Sequence, residues 1–241
     1  MLLKNLLKRL YHKLPVSLSC LVLSMRMKGK VNIAKGSYIH PSVHILGSSN
    51  VSVGQNSCVS EGSWLNVNHR LENQVSIDIG NDCFIGKQNF FTSGDKIVIG
   101  DYTLTTIGCR FIGSSHHIED PLKPYLMTGT TSKDSIIIGV NCFIGAGATI
   151  LGHVKIGHGS VVGATSLVLS DIPPFSVAVG NPSKVVKRYS FRRKEWISAS
   201  SFSDEDEVLI PTEESYLKEL KQSSPRPSMP WIAAGKSLGD L

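Results

Sequence analysis

The chain has 241 residues, of which 18% are charged and 41% hydrophobic, so it can form one sizeable domain with appendages. A basic net charge of +6 can indicate a nucleic-acid partner, but no basic motif with interleaved aromatic residues supports one, and we expect none. The five cysteines show no C-x-x-C spacing, and we interpret them as buried free thiols in a reducing compartment.

Residues 1–30 form a basic N-terminal segment without acidic residues. Leucines recur at helical spacing over residues 1–14, with lysine and arginine on the other side, which predicts an amphipathic helix. The apolar run Val16–Met25 is too short for a transmembrane helix. We expect residues 1–25 either to bind an anionic membrane surface or to pack on the coil or a neighbouring subunit. A signal peptide is a third interpretation, which the missing small-residue cleavage site disfavours.

The domain predicted over residues 31–182 repeats every six residues in its clearest part. An aliphatic residue occupies every sixth position, and a mostly small residue follows four positions later. Neither a helix nor a single strand has this period, whereas a short fixed repeat is typical of a solenoid. Hexapeptides predict a parallel β-helix with one aliphatic and one small side chain pointing inward on each face. The aliphatic positions are Ile138, Ile144, Ile150, Ile156, Val162 and Val168.

Three stretches interrupt the repeat. Residues 66–74 and 90–96 are predicted to be short surface loops, and residues 113–135 form the longest insertion. Degraded repeats at Thr105 and Phe111 lie just before that long loop. Degraded repeats beside an insertion indicate where a solenoid holds its functional site.

Residues 183–241 form an extension that is first basic and then acidic. Pro173 and Pro174 predict the end of the coil, because proline lacks a ladder donor and fixes φ. We expect residues 184–194 to begin a short helix. A second helical segment is expected at 216–222 within otherwise irregular chain.

The repeats, together with the sequence DIPPFSVAVGNPSKVVKR at residues 171–188, resemble the end of a hexapeptide-repeat acyltransferase. The resemblance covers roughly residues 31–190 and is closest to the maltose, nodulation-factor and polysaccharide O-acetyltransferase branch. It implies a left-handed β-helix, against the usual right-handed crossover preference. It also implies a homotrimer, acetyl-CoA as co-substrate, no metal, and a cytoplasmic location. That location would be peripheral to the bacterial inner membrane if residues 1–25 bind lipid.

The resemblance also implies a catalytic residue in the long loop. Transfer of an acetyl group to a hydroxyl needs a general base, and histidine titrates near neutral pH. His116 matches the catalytic histidine of the sugar O-acetyltransferases, and His117 is the adjacent alternative. Without the flanking motifs, a lone loop histidine would be interpreted as a solvated side chain. Glu119 and Asp120 either orient the imidazole or solvate the loop, and we group them with His117 at the acceptor.

Further residues match the two substrate sites of this family. Asn89 aligns with an asparagine that contacts the acceptor sugar, although its small inward position also suits a structural hydrogen bond. Ala146 and Ala164 lie one coil apart, and their backbone N–H groups are expected to bind the thioester and pantetheine of acetyl-CoA between two subunits. Three basic residues match the CoA phosphate site, or else lie on a solvated basic helix. They are Lys184, Lys187 and Arg188.

We therefore predict an acetyl-CoA-dependent O-acetyltransferase that acts by direct attack, without an acyl-enzyme. The predicted acceptor is a sugar hydroxyl in a precursor of capsule, O-antigen or exopolysaccharide. One alternative is a small free acceptor such as a sugar, serine or an antibiotic. The other is a non-catalytic β-helix that binds metal or a partner, for which the spacing of the available histidines does not match a zinc site. Those histidines are His116, His117, His153 and His158.

Overall fold

The computed structural model describes residues 31–223 of the chain, so the segment predicted at residues 1–30 lies outside it. The strands are β1 (Asn32–Ile33), β2 (Tyr38–Ile39), β3 (His44–Leu46), β4 (Val51–Val53), β5 (Cys58–Val59), β6 (Trp64–Val67), β7 (Ile77–Ile79), β8 (Phe84–Ile85), β9 (Phe90–Ser93), β10 (Lys96–Ile99), β11 (Leu104–Thr105), β12 (Arg110–Ile112), β13 (Ser135–Ile138), β14 (Phe143–Ile144), β15 (Thr149–Leu151), β16 (Val154–Ile156), β17 (Val161–Val162), β18 (Leu167–Val168), β19 (Ser176–Gly180), β20 (Ser183–Ser190) and β21 (Glu195–Ser198). The helices are α1 (Asp204–Glu207) and α2 (Glu213–Ser223), and 3₁₀ turns span Ser48–Asn50, Tyr125–Met127 and Ala199–Ser201.

The chain visits three sheets in turn. Sheet 1 has the order β1-β4-β7-β10-β13-β16, and sheet 3 has the order β18-β15-β12-β9-β6-β3. Sheet 2 has the order β2-β5-β8-β11-β14-β17-β19-β20-β21 and is parallel as far as β19. The predicted left-handed parallel β-helix of hexapeptide repeats is confirmed. No helix within residues 31–223 is both long enough and apolar enough to cross a membrane.

Three edges separate the sheets, and each edge contains a stack of turns. We call them edge 1–2, which includes residues 139–141, edge 2–3, which includes residues 145–147, and edge 3–1. The long loop, residues 113–134, leaves the coil at edge 3–1 between β12 and β13. The edges matter for function because the chain can leave the coil there, whereas on the three faces its backbone is hydrogen-bonded within the sheets.

The inward positions have the predicted occupants. All six aliphatic residues of the regular repeat are buried, and so are the small inward residues Cys83, Cys109 and Cys142. In the degraded repeat, Phe111 takes the aliphatic position and stacks on Phe91 of the preceding coil, with ring centroids 4.5 Å apart. The core therefore continues through the part of the coil where the sequence repeat is weakest.

Glycine follows the aliphatic residue because the coils approach each other most closely at the edges. A Cβ atom on Gly145 would lie 2.5 Å from the backbone nitrogen of Ala164, and one on Gly139 would lie 2.6 Å from that of His158. Both distances are far inside van der Waals contact. Only glycine lets these turns stack without moving the next coil.

Two boundary predictions were wrong. Residues 90–96 were expected to form a loop, but β9 pairs with both β6 and β12 because Phe91 fills the aliphatic core position. Pro173 and Pro174 do not end the coil, since β19 follows them and pairs in parallel with β17. The prolines lie outside the strands, at a turn where no ladder donor is lost.

The helix expected to begin within residues 184–194 is also wrong. These residues lie largely in β20, which pairs antiparallel with β19 on one side and with β21 on the other. Val185 packs against the core of the coil, and Tyr189 contacts Trp196 with ring centroids 5.4 Å apart. Pairing on both sides therefore outweighs the local helical preference.

The predicted helical segment at 216–222 is confirmed as part of α2, which packs on edge 1–2. Glu213 accepts a hydrogen bond from the Val140 backbone N–H at 2.7 Å, and the Tyr216 hydroxyl bonds Asn141. His158 Nε2 lies 2.9 Å from the Pro211 carbonyl oxygen. The extension up to residue 223 is thus fastened to the coil by polar side chains.

A buried carboxylate connects α1 to β20. Asp206 is fully buried and accepts a hydrogen bond from the Ser190 hydroxyl at 2.6 Å. It also forms a capping box with Ser203 at the start of α1. The Ser190 hydrogen bond, together with those from Ser203 and the charge of Arg192, lowers the pKa of Asp206 from 3.8 to about 2.

We predict that Asp206 contributes to stability in a pH-dependent way. Because its pKa is lower in the folded chain, the ionised carboxylate stabilises the fold above about pH 4, and this contribution disappears as the pH falls towards 2. Asp206→Asn should therefore lower the Tm at pH 7, with a difference from wild type that shrinks between pH 4 and pH 2. Thermal unfolding of both proteins across this range is the measurement. Asp204→Asn, an exposed change on the same helix, is the control. A difference that does not change with pH would contradict the assignment.

Candidate functional site

The long loop at edge 3–1 is held by pairing between its two ends. The Thr131 backbone N–H donates to the Ser115 carbonyl at 2.7 Å, and His116 pairs with Thr130 in an antiparallel bridge. We call residues 115–117 and 129–131 the stem. His116 therefore lies on a hydrogen-bonded segment close to the coil, and the exposed tip of the loop lies beyond it.

A residue from a different loop fastens the stem. His69, in the loop that follows β6, has its Nε2 3.1 Å from the Thr131 carbonyl oxygen and 3.3 Å from the Thr130 hydroxyl. Because a carbonyl only accepts, Nε2 donates to Thr131. Sequence reasoning missed His69, since the two partners lie 62 residues apart and no repeat position connects them. A histidine inside a predicted surface loop was the only available signal.

The predicted acidic partners do not contact His116. The His116 side chain is exposed, and within residues 31–223 its ring makes no hydrogen bond. Glu119 lies 3.4 Å from Nδ1 of His117, and Asp120 forms an ion pair with Lys123 at 3.3 Å. The pKa of the Glu119 carboxyl is lowered by a hydrogen bond from the Glu119 backbone N–H and, to a smaller extent, by one from the His117 ring. The carboxylates therefore organise the neighbouring histidine and a local turn.

Asn89 is placed in the core, not at the loop. Its side-chain nitrogen donates to the carbonyl oxygens of Gly86 at 2.9 Å, Lys87 at 3.1 Å and Thr106 at 2.7 Å. Its side chain is almost completely buried. In this chain the geometry favours the structural alternative, in which Asn89 joins two stacked turns of edge 2–3.

The two predicted acetyl-CoA alanines come together at edge 2–3. Ala146 is half-buried and Ala164 exposed, and they occupy equivalent turns of successive coils. The Thr165 backbone N–H donates to the Ala146 carbonyl at 2.7 Å, which locks one turn on the other. The arrangement presents successive backbone turns along one exposed edge.

Two of the three predicted basic residues remain exposed beyond this edge. β19 continues sheet 2 past β17, and Lys184 and Lys187 pair with β19 from β20. Arg188 differs, because its guanidinium bonds Glu207 and the Pro174 carbonyl and lies 4.0 Å from the Phe202 ring centroid. Arg188 therefore holds the C-terminal extension to the coil, which corrects its predicted place at the CoA phosphates.

Two buried thiols are held in their protonated form, and no metal cluster is found in the described part of the chain. Burial raises the pKa of Cys83 and of Cys142 to about 12, so both thiols are protonated at neutral pH. Residues 31–223 contain no group of three or more His, Cys, Asp or Glu side chains placed to hold a metal ion. His153 accepts a hydrogen bond from the Ser135 N–H, and His158 bonds the Pro211 carbonyl.

Comparisons with known proteins agree with the architecture. Residues 135–170 match the family model of the bacterial transferase hexapeptide (six repeats). A Staphylococcus aureus protein named as a candidate acetyltransferase is 38% identical over 114 residues, covering 47% of this chain and 55% of that protein. The galactoside O-acetyltransferase of Escherichia coli is 29% identical over 178 residues, covering 71% of this chain and 82% of that enzyme.

The chain spans about half the length of the first of these curated relatives. Among solved structures, AntD, an N-acyltransferase from Bacillus cereus in complex with dTDP-4-amino-4,6-dideoxyglucose and coenzyme A, has a TM-score of 0.59 at 19% identity. The match covers 82% of this chain and 96% of that one, and it shows that the two share a fold. Residues 135–170 thus carry hexapeptide repeats of the bacterial transferase type, and the chain is similar to proteins named as acetyltransferases.

Proposed function

We propose that this protein transfers acetyl from acetyl-CoA to a hydroxyl of a sugar, with His116 as general base. The observation that supports this most is the stem, which holds an exposed histidine at edge 3–1 through hydrogen bonds from two loops. A base must be held within reach of the proton that it removes. The similarity to a galactoside O-acetyltransferase supports a sugar as the acceptor.

The proposed reaction is a direct transfer. The His116 imidazole takes the proton of the acceptor hydroxyl while the oxygen attacks the thioester carbonyl. The carbon–sulfur bond then breaks, and the proton passes to the departing CoA sulfur. Protonation of the buried thiols Cys83 and Cys142 is in keeping with a mechanism that uses no acyl-enzyme on these cysteines.

The two substrates are assigned to different edges. Backbone N–H groups of Ala146 and Ala164 at edge 2–3 are proposed to bind the thioester and pantetheine, and Lys184 and Lys187 the CoA phosphates. His117, with Glu119 and Asp120, is proposed to line the acceptor at edge 3–1. Sheet 3 separates these two edges within one chain. A neighbouring subunit that brings its edge 3–1 to this edge 2–3 would complete the site, so we propose a homotrimer.

The proposed acceptor is a precursor of a bacterial surface polysaccharide, such as capsule, O-antigen or exopolysaccharide. A basic N-terminal segment would bring the enzyme to lipid-linked precursors, because lysines and leucines together favour peripheral binding to anionic lipid. Mass spectrometry of surface glycan from a deletion strain would identify the acetylated sugar. An unchanged acetylation pattern would contradict the polysaccharide assignment.

His116→Ala should lower kcat by roughly 10²–10⁴, the usual contribution of a positioned general base. Acetyl-CoA binding, measured by calorimetry, should change little. The assay follows release of the CoA thiol with galactoside acceptors and with surface-glycan oligosaccharides. His117→Ala is the matched control; because His117 is proposed to line the acceptor, this variant should raise the KM for the acceptor and leave kcat largely unchanged. Loss of activity in the control alone would move the base to His117, and full activity in both variants would refute a histidine base in this loop.

His69 should act as a positioning residue for His116. His69→Leu removes the donor to Thr131, so amide hydrogen exchange in residues 113–131 should become faster and kcat should fall more than KM rises. His69→Gln can still donate and should restore both properties in large part. Lys155→Leu, an exposed change on β16 of sheet 1, is the control. If exchange is unchanged in His69→Leu, the His69 hydrogen bond does not order the stem.

The shared site can be tested by mixing subunits. Light scattering should show a trimer, and His116→Ala and Ala164→Asp should each be inactive alone, the second because it adds a carboxylate and bulk at edge 2–3. Subunits of the two variants, unfolded together and refolded, should regain a substantial fraction of activity, because some mixed trimers contain an intact pair of edges. Inactive mixed trimers, or an active wild-type monomer, would refute a site shared between subunits.

A further inference from the structure

An aromatic pair lies on the outer face of sheet 3, where β6 and β9 begin at edge 2–3. Trp64 and Phe90 are directly opposite each other in the register of β6 and β9. Their ring centroids are 5.5 Å apart and their planes cross at 67°. Trp64 is 45% exposed, a large apolar surface that the described chain does not cover. An indole left in this position indicates a binding surface when polar groups of suitable type surround it.

A row of amide and hydroxyl groups runs beside the aromatic pair. Asn66 and Thr92 lie two positions further along the same strands, hence on the same outer face. Asn66 donates to the Asn68 side-chain oxygen at 2.7 Å, and Asn68 donates to the Thr92 hydroxyl at 2.9 Å. These bonds hold planar amides about 7 Å from the indole along β6.

The same segment of chain leads to the stem. Asn68 is followed by His69, which bonds Thr130 and Thr131, and Thr130 pairs with His116. The aromatic pair, the polar row and the proposed base therefore follow one another without a break. We call Trp64, Phe90, Asn66, Asn68 and Thr92 the sheet 3 strip.

We propose that the sheet 3 strip binds a second sugar unit of an extended glycan whose neighbouring unit is presented to His116. This rests on the proposed function for the transfer step alone. A pyranose offers C–H groups on its faces, which suit the Trp64 ring, and hydroxyls at its rim, which suit the amides of Asn66 and Asn68. The Thr92 hydroxyl is buried and holds the Asn68 amide in place. A ring held at the stem would not itself reach the indole, because the polar row lies between them. The acceptor is thus an oligosaccharide or polymer, and a free monosaccharide would leave the strip empty.

Two other occupants fit the strip less well. A polyanion such as nucleic acid needs several cations, whereas among residues 31–223 the row that contains Trp64 and Phe90 includes a single arginine, Arg110, and no lysine. If a second copy of this chain bound here permanently, we would expect the strip to be apolar, because the centre of a permanent interface contains few polar groups. Here three of the five residues of the strip carry an amide or a hydroxyl. The experiment therefore includes a measurement of the oligomeric state.

The experiment measures binding separately from transfer. Binding is followed by saturation-transfer NMR, with His116→Ala as the background, using methyl galactoside, galacto-oligosaccharides of increasing length and an array of bacterial surface oligosaccharides. Trp64→Ala should weaken oligosaccharide binding by about tenfold, as expected for loss of one aromatic contact. Binding of acetyl-CoA and of methyl galactoside should not change. Trp196→Ala, which removes a tryptophan of similar exposure from β21, is the matched control.

Several outcomes would overturn the proposal. The first is oligosaccharide binding that is equally strong in wild type and in Trp64→Ala. The second is a loss of binding in Trp196→Ala as large as that in Trp64→Ala. The third is a wild-type protein that binds no glycan. Loss of the trimer in Trp64→Ala would instead show that the strip is a subunit interface. Failure of the proposed function is distinguishable, because it would leave length-dependent glycan binding in a protein that transfers no acetyl group. A further outcome is that Trp64→Ala transfers acetyl to methyl galactoside as wild type does, while binding of glycans shows no dependence on their length. That result would leave the proposed function standing and refute glycan binding by the sheet 3 strip.

Discussion

The close stacking of coils at the edges is the constraint on which the rest of this structure depends. Each coil satisfies its backbone N–H and C=O groups through the coils on either side, so the spacing between neighbouring turns is fixed. Gly145 shows how little room remains, since a single added carbon would lie 2.5 Å from Ala164 nitrogen. Insertions can leave such a stack only at an edge, where the ladder is already interrupted. The position of the functional loops follows from this limit on backbone pairing.

The separation of the edges has a consequence for chemistry. The residues that resemble an acetyl-CoA site lie at edge 2–3, and the histidine that resembles a base lies at edge 3–1. The edges of one coil cannot move towards each other, because each face between them is a continuous hydrogen-bonded sheet. Association of two copies of the chain would place the proposed base of one beside the proposed thioester site of the other without bending either coil. In the proposed site, the rigidity that keeps each half ordered is also the reason why one chain would hold only half.

The sequence predicted the parts of the structure that repeat and missed those that depend on contacts between distant segments. The inward positions, the buried cysteines, the long loop and the second helix followed from periodicity and composition. β20 was misassigned because pairing with β19 and β21 decides its conformation, and β9 was missed because Phe91 substitutes for an aliphatic residue. In the site, His116 was indicated by neighbouring motifs, whereas His69 depends on two insertions meeting above stacked coils. Arg188 matched a CoA-binding position by type, but its contacts with Glu207 and Phe202 belong to the extension.

In the described part of the chain no carboxylate lies beside His116, so the proposed base must be held in another way. A general base is usually fixed by a group that bonds its second ring nitrogen, yet Glu119 contacts His117. Here the backbone does the positioning, through the pairing with Thr130 and through His69, which fixes the opposite strand of the stem. The ring itself keeps both nitrogens available in the single chain. In the proposed trimer, a neighbouring subunit and the bound glycan would supply the partners that orient the ring. Coupling the base to assembly in this way would limit proton removal to a site that is already closed by both substrates.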